Sequence, residues 1–162
     1  VAPKGVHSQW YDEQVPIHSS TPWIGFVWEA KNTKSYKNEL TRFLTEPTPR
    51  KLKWFFVNID VFSSENHLKI FKDYLSSSPT MMIIDEATTI KEPTANRSFN
   101  ISYNLGQSEF RGRALSGYAS FAKYRRILTG SPVNNSPFDI YQPFNFLNFD
   151  FFGRSFFSFK NR

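Results

Sequence analysis

Apolar runs alternate with segments of helical period along the 162-residue chain. Four runs predict strands, being short and rich in aromatic and branched residues: Trp23 to Trp28, Trp54 to Ile59, Thr80 to Ile84 and Tyr124 to Thr129. Between the first two, Tyr36, Leu40, Phe43 and Leu44 recur at helical spacing over Ser35 to Leu44, and Pro47 and Pro49 close that helix. Ser64 is suited to cap a second helix, with Leu68, Phe71 and Leu75 on one face and Ile70 and Tyr74 beside them. Val6 to Gln14, with Trp10 turned inward, and Phe138 to Phe146 predict two more helices, and Val1-Ala2-Pro3 reads as the tail of a strand. From Glu92 to Gly117 the chain is loop-rich. Its polar part, 97–117, is expected to be an insertion, a loop or a short helical pair. Strands alternating with helices predict an α/β fold with a parallel sheet flanked by helices.

In such sheets ligands gather beyond the C-terminal strand ends, and two of the predicted strands end in reactive groups. Met81-Met82-Ile83-Ile84 runs into Asp85-Glu86-Ala87, and Arg126-Ile127-Leu128 runs into Thr129-Gly130-Ser131-Pro132. An acidic pair at a strand end suits magnesium nucleotide chemistry, since the Asp can hold the metal and the Glu can orient the attacking water. A Thr-Gly-Ser on another strand end can sense events there. Each string also has a plain alternative. Asp-Glu-Ala is short, and Thr-Gly-Ser-Pro is an ordinary turn in which Gly supplies a positive φ and Pro stops the strand. The two in this order are far more specific than either alone.

Composition narrows the classes. Eighteen Phe, seven Tyr and four Trp in a chain of this length predict a real core. The absence of cysteine excludes disulfides, thiol nucleophiles and Cys-based zinc sites. His7, His18 and His67 show no ligand spacing. The net charge of +6 is compatible with a polyanionic partner. No apolar run is long enough for a membrane span, and no apolar stretch after Val1 resembles a signal peptide. With no initiator Met, the chain is expected to begin partway through something larger. Eight phenylalanines lie between Phe144 and Phe159. They predict core packing against a neighbour absent from these residues, with base stacking as the less favoured alternative.

The motifs together resemble the first RecA-like lobe of a Swi/Snf-type helicase of superfamily two, over nearly the whole chain. Val1-Ala2-Pro3-Lys4 with Trp10 resembles the family's first DNA-contacting motif, and Asn58-Ile59-Asp60 a following strand end. Asp85-Glu86-Ala87-Thr88 with Ile90-Lys91 resembles the DEAH-like box. Arg125 to Asn135, centred on Thr129-Gly130-Ser131, resembles the coupling motif, and Phe138-Asp139-Ile140-Tyr141, Phe146-Leu147 and Phe152-Gly153 continue the pattern.

The resemblance implies DNA-stimulated ATP hydrolysis driving movement on DNA, expected to be duplex. It implies ATP and Mg2+ as cofactors, Asp85 as the magnesium ligand and Glu86 as the group that polarises water. Thr129, Gly130 and Ser131 would couple nucleotide state to the DNA path, and Pro3 and Lys4 would touch a DNA phosphate. It further implies a RecA-like lobe lacking its P-loop strand, with a phosphate-loop segment before Val1 and a second lobe after Arg162. The expected setting is the cytoplasm of a bacterial or phage-infected cell, or a eukaryotic nucleus.

The chain departs from the family pattern in several places. Thr88 stands where the family has His and has shorter reach towards the coupling motif, Ser131 replaces the commoner Thr, and Glu92 stands where Asn is common. The only glycines at phosphate-loop spacing, Gly112 and Gly117, are followed by Tyr118 and Ala119 and so lack the lysine and hydroxyl. The chain alone is therefore expected not to hydrolyse ATP. Two other functions compete: a non-catalytic basic DNA- or protein-binding module, and a magnesium nuclease, for which only Asp60, Glu65 and Glu92 offer further carboxylates.

Overall fold

The alternating pattern folds into α/β structure with parallel strand pairs. The computed structural model describes residues 1–64, 68–102, 117–148, 151–153 and 155–161. The chain divides into two compact units, Val1–Ile59 and Asp60–Arg162.

In the first unit, helix α1 (Val6–Gln9) runs into a wider π turn (Trp10–Gln14) and then helix α2 (Val15–His18). The sequence predicted an unbroken helix ending at Gln14. The π turn has a physical cause in Pro16, which has no N–H to give and whose ring would clash with the carbonyl four residues back. The Val15 N–H instead reaches back to the Trp10 carbonyl. Within the turn, Tyr11 packs edge-on against Trp23 and Phe56, with ring centroids 5.6 and 5.7 Å apart.

Strand β1 (Trp23–Val27) pairs in parallel with β2 (Leu52–Phe56), Trp23 opposite Leu52 and Val27 opposite Phe56. The strand predicted over Trp54 to Ile59 thus starts two residues earlier and ends three residues earlier. Past Phe56 the chain leaves the ladder for a 3₁₀ turn, Ile59–Ser63. The expected strand tail at Val1 to Pro3 is a single parallel bridge, Ala2 to Asn58. Helix α3 (Lys34–Thr45) is capped by the Thr33 hydroxyl, which accepts from the Tyr36 N–H, and buries Leu40 and Phe43. Phe43 stacks on Phe26 at 5.3 Å and lies 5.5 Å from Phe55. The core of this unit is built of stacked and tilted rings.

In the second unit, helix α4 (Leu68–Ser77) buries Phe71 and Leu75, as its periodicity predicts. The capping expected of Ser64 involves 65–67, outside the described residues. Phe71, Phe62 and Tyr118 form a triangle of rings 5.2 to 6.4 Å apart. Strand β3 (Met81–Ile84) pairs in parallel with β4 (Tyr124–Ile127). Among the described residues the four strands therefore form two separate two-stranded parallel sheets, where the sequence predicted one. Each strand pairs only with its neighbour in sequence, and the turn after Phe56 ends the first ladder.

The loop-rich stretch predicted from Glu92 contains helix α5 (Asn96–Ile101), while 103–116 lie outside the described residues. The helix predicted at Phe138 to Phe146 is a 3₁₀ turn (Pro137–Ile140) followed by α6 (Tyr141–Leu147), which buries Phe146 completely. Helix α7 (Phe156–Lys160) closes an aromatic cluster. Phe152 lies 4.7 Å from Phe159 and 5.2 Å from Phe144, and Tyr141 lies 5.2 Å from Phe159. Most of the clustered phenylalanines thus pack on one another, leaving Phe151 and Phe157 exposed. Phe149 lies outside the described residues.

Gly117 is a packing glycine. A Cβ there would lie 1.4 Å from the Ser102 carbonyl oxygen, so two backbones cross where no side chain fits. Gly117→Ala is expected to lower stability by about 1–3 kcal/mol or more, because backbone must move to admit the methyl. Urea unfolding checks this, and an unchanged midpoint would refute the close crossing.

Candidate functional site

The site begins with the β3–β4 ladder. Ile84 faces Ile127 in register. Beyond both strands the pairing continues: the Leu128 N–H donates to the Ile84 carbonyl at 2.8 Å, and the Ala87 N–H donates to the Leu128 carbonyl at 3.0 Å. Asp85 and Glu86 lie between those two bonds, and Thr129-Gly130-Ser131 follows directly after them. Two motifs more than forty residues apart in sequence therefore leave the same edge of one parallel pair.

Asp85 is half-buried, and one of its carboxylate oxygens accepts from the Glu86 N–H at 3.0 Å. Glu86 is exposed and lies in the left-handed region, φ 51° and ψ 57°. For a residue with a Cβ this conformation costs about 1–3 kcal/mol. It turns the chain sharply from β3 into a 3₁₀ turn, Ala87–Ile90, whose ends Ala87 and Ile90 are fully buried. The Thr89 N–H closes the turn by donating to the Glu86 carbonyl at 2.9 Å. Arg50, in the ordinary turn before β2, also has positive φ, so the conformation by itself marks no site.

The Thr-Gly-Ser loop is held by its own hydroxyls. The Thr129 hydroxyl donates to the Ser131 carbonyl at 3.0 Å and accepts from the Ser131 N–H at 3.3 Å. The Ser131 hydroxyl donates to the Val133 carbonyl at 2.9 Å. Gly130 differs from the turn glycine that its sequence setting predicts. Its φ is not positive, and a Cβ there would meet nothing within 4 Å. Neither local conformation nor packing among the described residues requires glycine at this position. Thr88 is half-buried.

Two residues not singled out as functional in the sequence join the loops. One Asp139 carboxylate oxygen accepts from the N–H groups of Asn135, Asn134 and Ser136 at 2.9, 3.3 and 3.4 Å. Lys91 forms an ion pair with the same oxygen at 3.4 Å. The Asn135 N–H above all, with those of Ser136 and Asn134 and then the Lys91 charge, holds the Asp139 carboxyl below the usual carboxylate range. The signal was present in the sequence, because Ser136-Pro-Phe-Asp139 has the spacing of a capping box, and the structure forms one.

Among the described residues, no three His, Cys, Asp or Glu side chains gather to hold a metal ion. Magnesium in nucleotide sites is commonly held by one or two carboxylates together with substrate phosphates. Asp85, with Glu86 beside it, fits that limited role and does not fit an all-protein cage. Gly112 lies outside the described residues, and the packing duty of Gly117 separates it from any phosphate cradle.

Pro3 and Lys4 belong to the first unit. The Ala2 bridge pins the chain before them, and the Pro3 carbonyl accepts from the N–H groups of Val6 and His7 at 3.1 and 3.3 Å. Gly5, with φ 88°, makes the turn into α1. Lys4 is left exposed on that turn, a point charge suited to a phosphate.

No protein-family model matches the chain, and no curated protein matches it in sequence. No helix among the described residues is long and apolar enough to cross a membrane.

The depressed carboxyl of Asp139 sets a pH dependence. Its contribution to stability is fully present above the ordinary carboxylate range and is lost as pH falls through the lower folded-state value. Asp139→Asn is therefore expected to lower Tm most at neutral pH, with the difference from the parent shrinking as the solution is acidified. Thermal unfolding of both proteins across the acid range checks this. A difference independent of pH would show that the charge of Asp139 does not matter.

Proposed function

We propose that this chain supplies the acidic box and the coupling loop of a DNA-dependent ATPase that moves on DNA. One observation carries the proposal. The two motifs leave the same edge of one parallel strand pair, stitched by the bond from the Ala87 N–H to the Leu128 carbonyl. Parallel α/β sheets bind their ligands at that edge. In this proposal the fold is a RecA-like lobe.

Asp85 is the carboxylate that would hold magnesium, which when bound neutralises charge developing on the phosphates. Glu86 lies next to it, exposed at the head of a tight turn, and orients the attacking water by accepting its hydrogen bond. Thr129 to Ser131 respond to that chemistry from the neighbouring strand end. The glycine between them, which the described fold does not need, fits a loop approached closely by another group. DNA binding draws support from the +6 charge and from the exposed Lys4. The 162 residues contain no Gly-x-x-x-x-Gly-Lys-Ser/Thr sequence, which favours a second function, a basic binding module without catalysis.

Substitution at the acidic pair separates the two. In the protein expressed from its whole reading frame, Glu86→Gln is expected to lower DNA-stimulated kcat by about 10²–10⁴-fold. Asp85→Asn is expected to abolish activity, and both should leave DNA affinity unchanged. The 162-residue chain alone is expected to show no hydrolysis above background. Full activity in both variants, or no DNA-stimulated hydrolysis in the parent, would leave only the binding module.

Salt dependence tests the DNA contact. Affinity for duplex DNA should fall with salt at a log–log slope of about −0.9 per phosphate contacted. Lys4→Ala should make that slope shallower by about one. A flat salt response would remove DNA as a direct partner of this chain.

A further inference from the structure

Lys91 closes a loop of hydrogen bonds between the two motifs. On the near side, the Ala87 N–H binds the Leu128 carbonyl. On the far side, the Lys91 N–H binds the Thr88 carbonyl at 3.3 Å, at the end of the turn that begins beside Glu86. The Lys91 ammonium then reaches Asp139 at 3.4 Å. Asp139 gathers the amides of Asn134, Asn135 and Ser136, and the Ser131 hydroxyl ties the preceding loop to Val133. The acidic-pair turn and the Thr-Gly-Ser loop are thus joined at both ends. The near connection is a backbone bond available to any sequence. The far one depends on two side chains, which are only 29% and 14% exposed. A partly desolvated pair is screened less than a surface pair and holds its geometry better.

We propose that the Lys91–Asp139 pair is the positioning link that carries a change in the Glu86 turn to the loop after Thr129-Gly130-Ser131. The link rests on the function proposed for the two motifs. Asp139 is the end that touches the loop, because the oxygen that Lys91 reaches also accepts from its three amides. Lys91 is the arm, attached to the turn at its C-terminal end. A displacement of the turn that moves Lys91 pulls on the same oxygen that orders residues 134–136.

The test uses the 162-residue chain without nucleotide or DNA. Glu86→Gly relieves the left-handed backbone and so perturbs the turn at its head. Amide hydrogen exchange is followed at Asn134, Asn135 and Ser136 in the parent, Glu86→Gly, Lys91→Met and the double variant. With Lys91 present, Glu86→Gly should change exchange at those amides by about threefold or more, as for groups in direct contact. With Lys91→Met the same substitution should have no further effect, and Lys91→Arg should restore the response. A purely structural Lys91 would give equal, additive changes in both backgrounds, and that result overturns the link. So does the absence of any response to Glu86→Gly in the parent. Because no ligand is present, failure here leaves the ATPase proposal standing, and inactive coupling with an intact exchange response would indict that proposal alone.

Discussion

Where β3 and β4 end, backbone pairing does not stop. The ladder carries on for one more bond to each side, Leu128 to Ile84 and Ala87 to Leu128, and the acidic pair is caught between them. A parallel ladder has evenly spaced, slanted bonds, so register at one end dictates register at the other. Ile84 opposite Ile127 therefore decides which residues of each loop emerge side by side. A slip of one residue would turn Ile84 out of the core and move Asp85 inward. Every feature of the site depends on this register: the left-handed turn at Glu86, the buried anchors Ala87 and Ile90, and the loop held by Thr129 and Ser131.

Around that ladder the interior is largely aromatic. Rings fill the core of the first unit, and a triangle of Phe62, Phe71 and Tyr118 supports the second. Large rings bury much area from few residues and prefer edge-on and tilted contacts. Such a core suits short strands of four or five residues, whose ladders are too brief to define much structure alone. Basic charge is also partly internal. The Arg125 guanidinium donates to the carbonyls of Ala119, Ala122 and Leu147, closing a 3₁₀ turn and the end of α6. A count of positive residues therefore overstates the charge available to a polyanion.

The strands and helices were legible because their signals are local. Period-3.6 spacing with the prolines after Thr45 places α3 within one residue at each end, and the apolar runs place the flanking strands within three. The π turn at Trp10 was not read from the sequence, because Pro16 marks a helix that must adjust without saying how. Helix α5 lies where a helical pair was only one of three alternatives, in a polar stretch without a clear apolar stripe, and it is tied in by the buried Ile101 and by tertiary bonds such as Asn100 to the Phe62 carbonyl. The role of Gly117 was hidden too, for a glycine kept by a crossing backbone looks in sequence like any other.

By itself the sequence determined the α/β class, the parallel sense of the strands and the two strings that end strands β3 and β4, because hydrophobic period and strand-ending polar residues are written along the chain. It also held the capping box of Ser136 and Asp139, a short-range signal. The tertiary structure alone decided that the four strands form two separate pairs, that the acidic pair and the Thr-Gly-Ser loop share one edge, and that Lys91 meets Asp139. Those outcomes depend on strand register and on side chains meeting across forty-eight positions of sequence, and no local pattern encodes a contact between distant segments until the chain has folded.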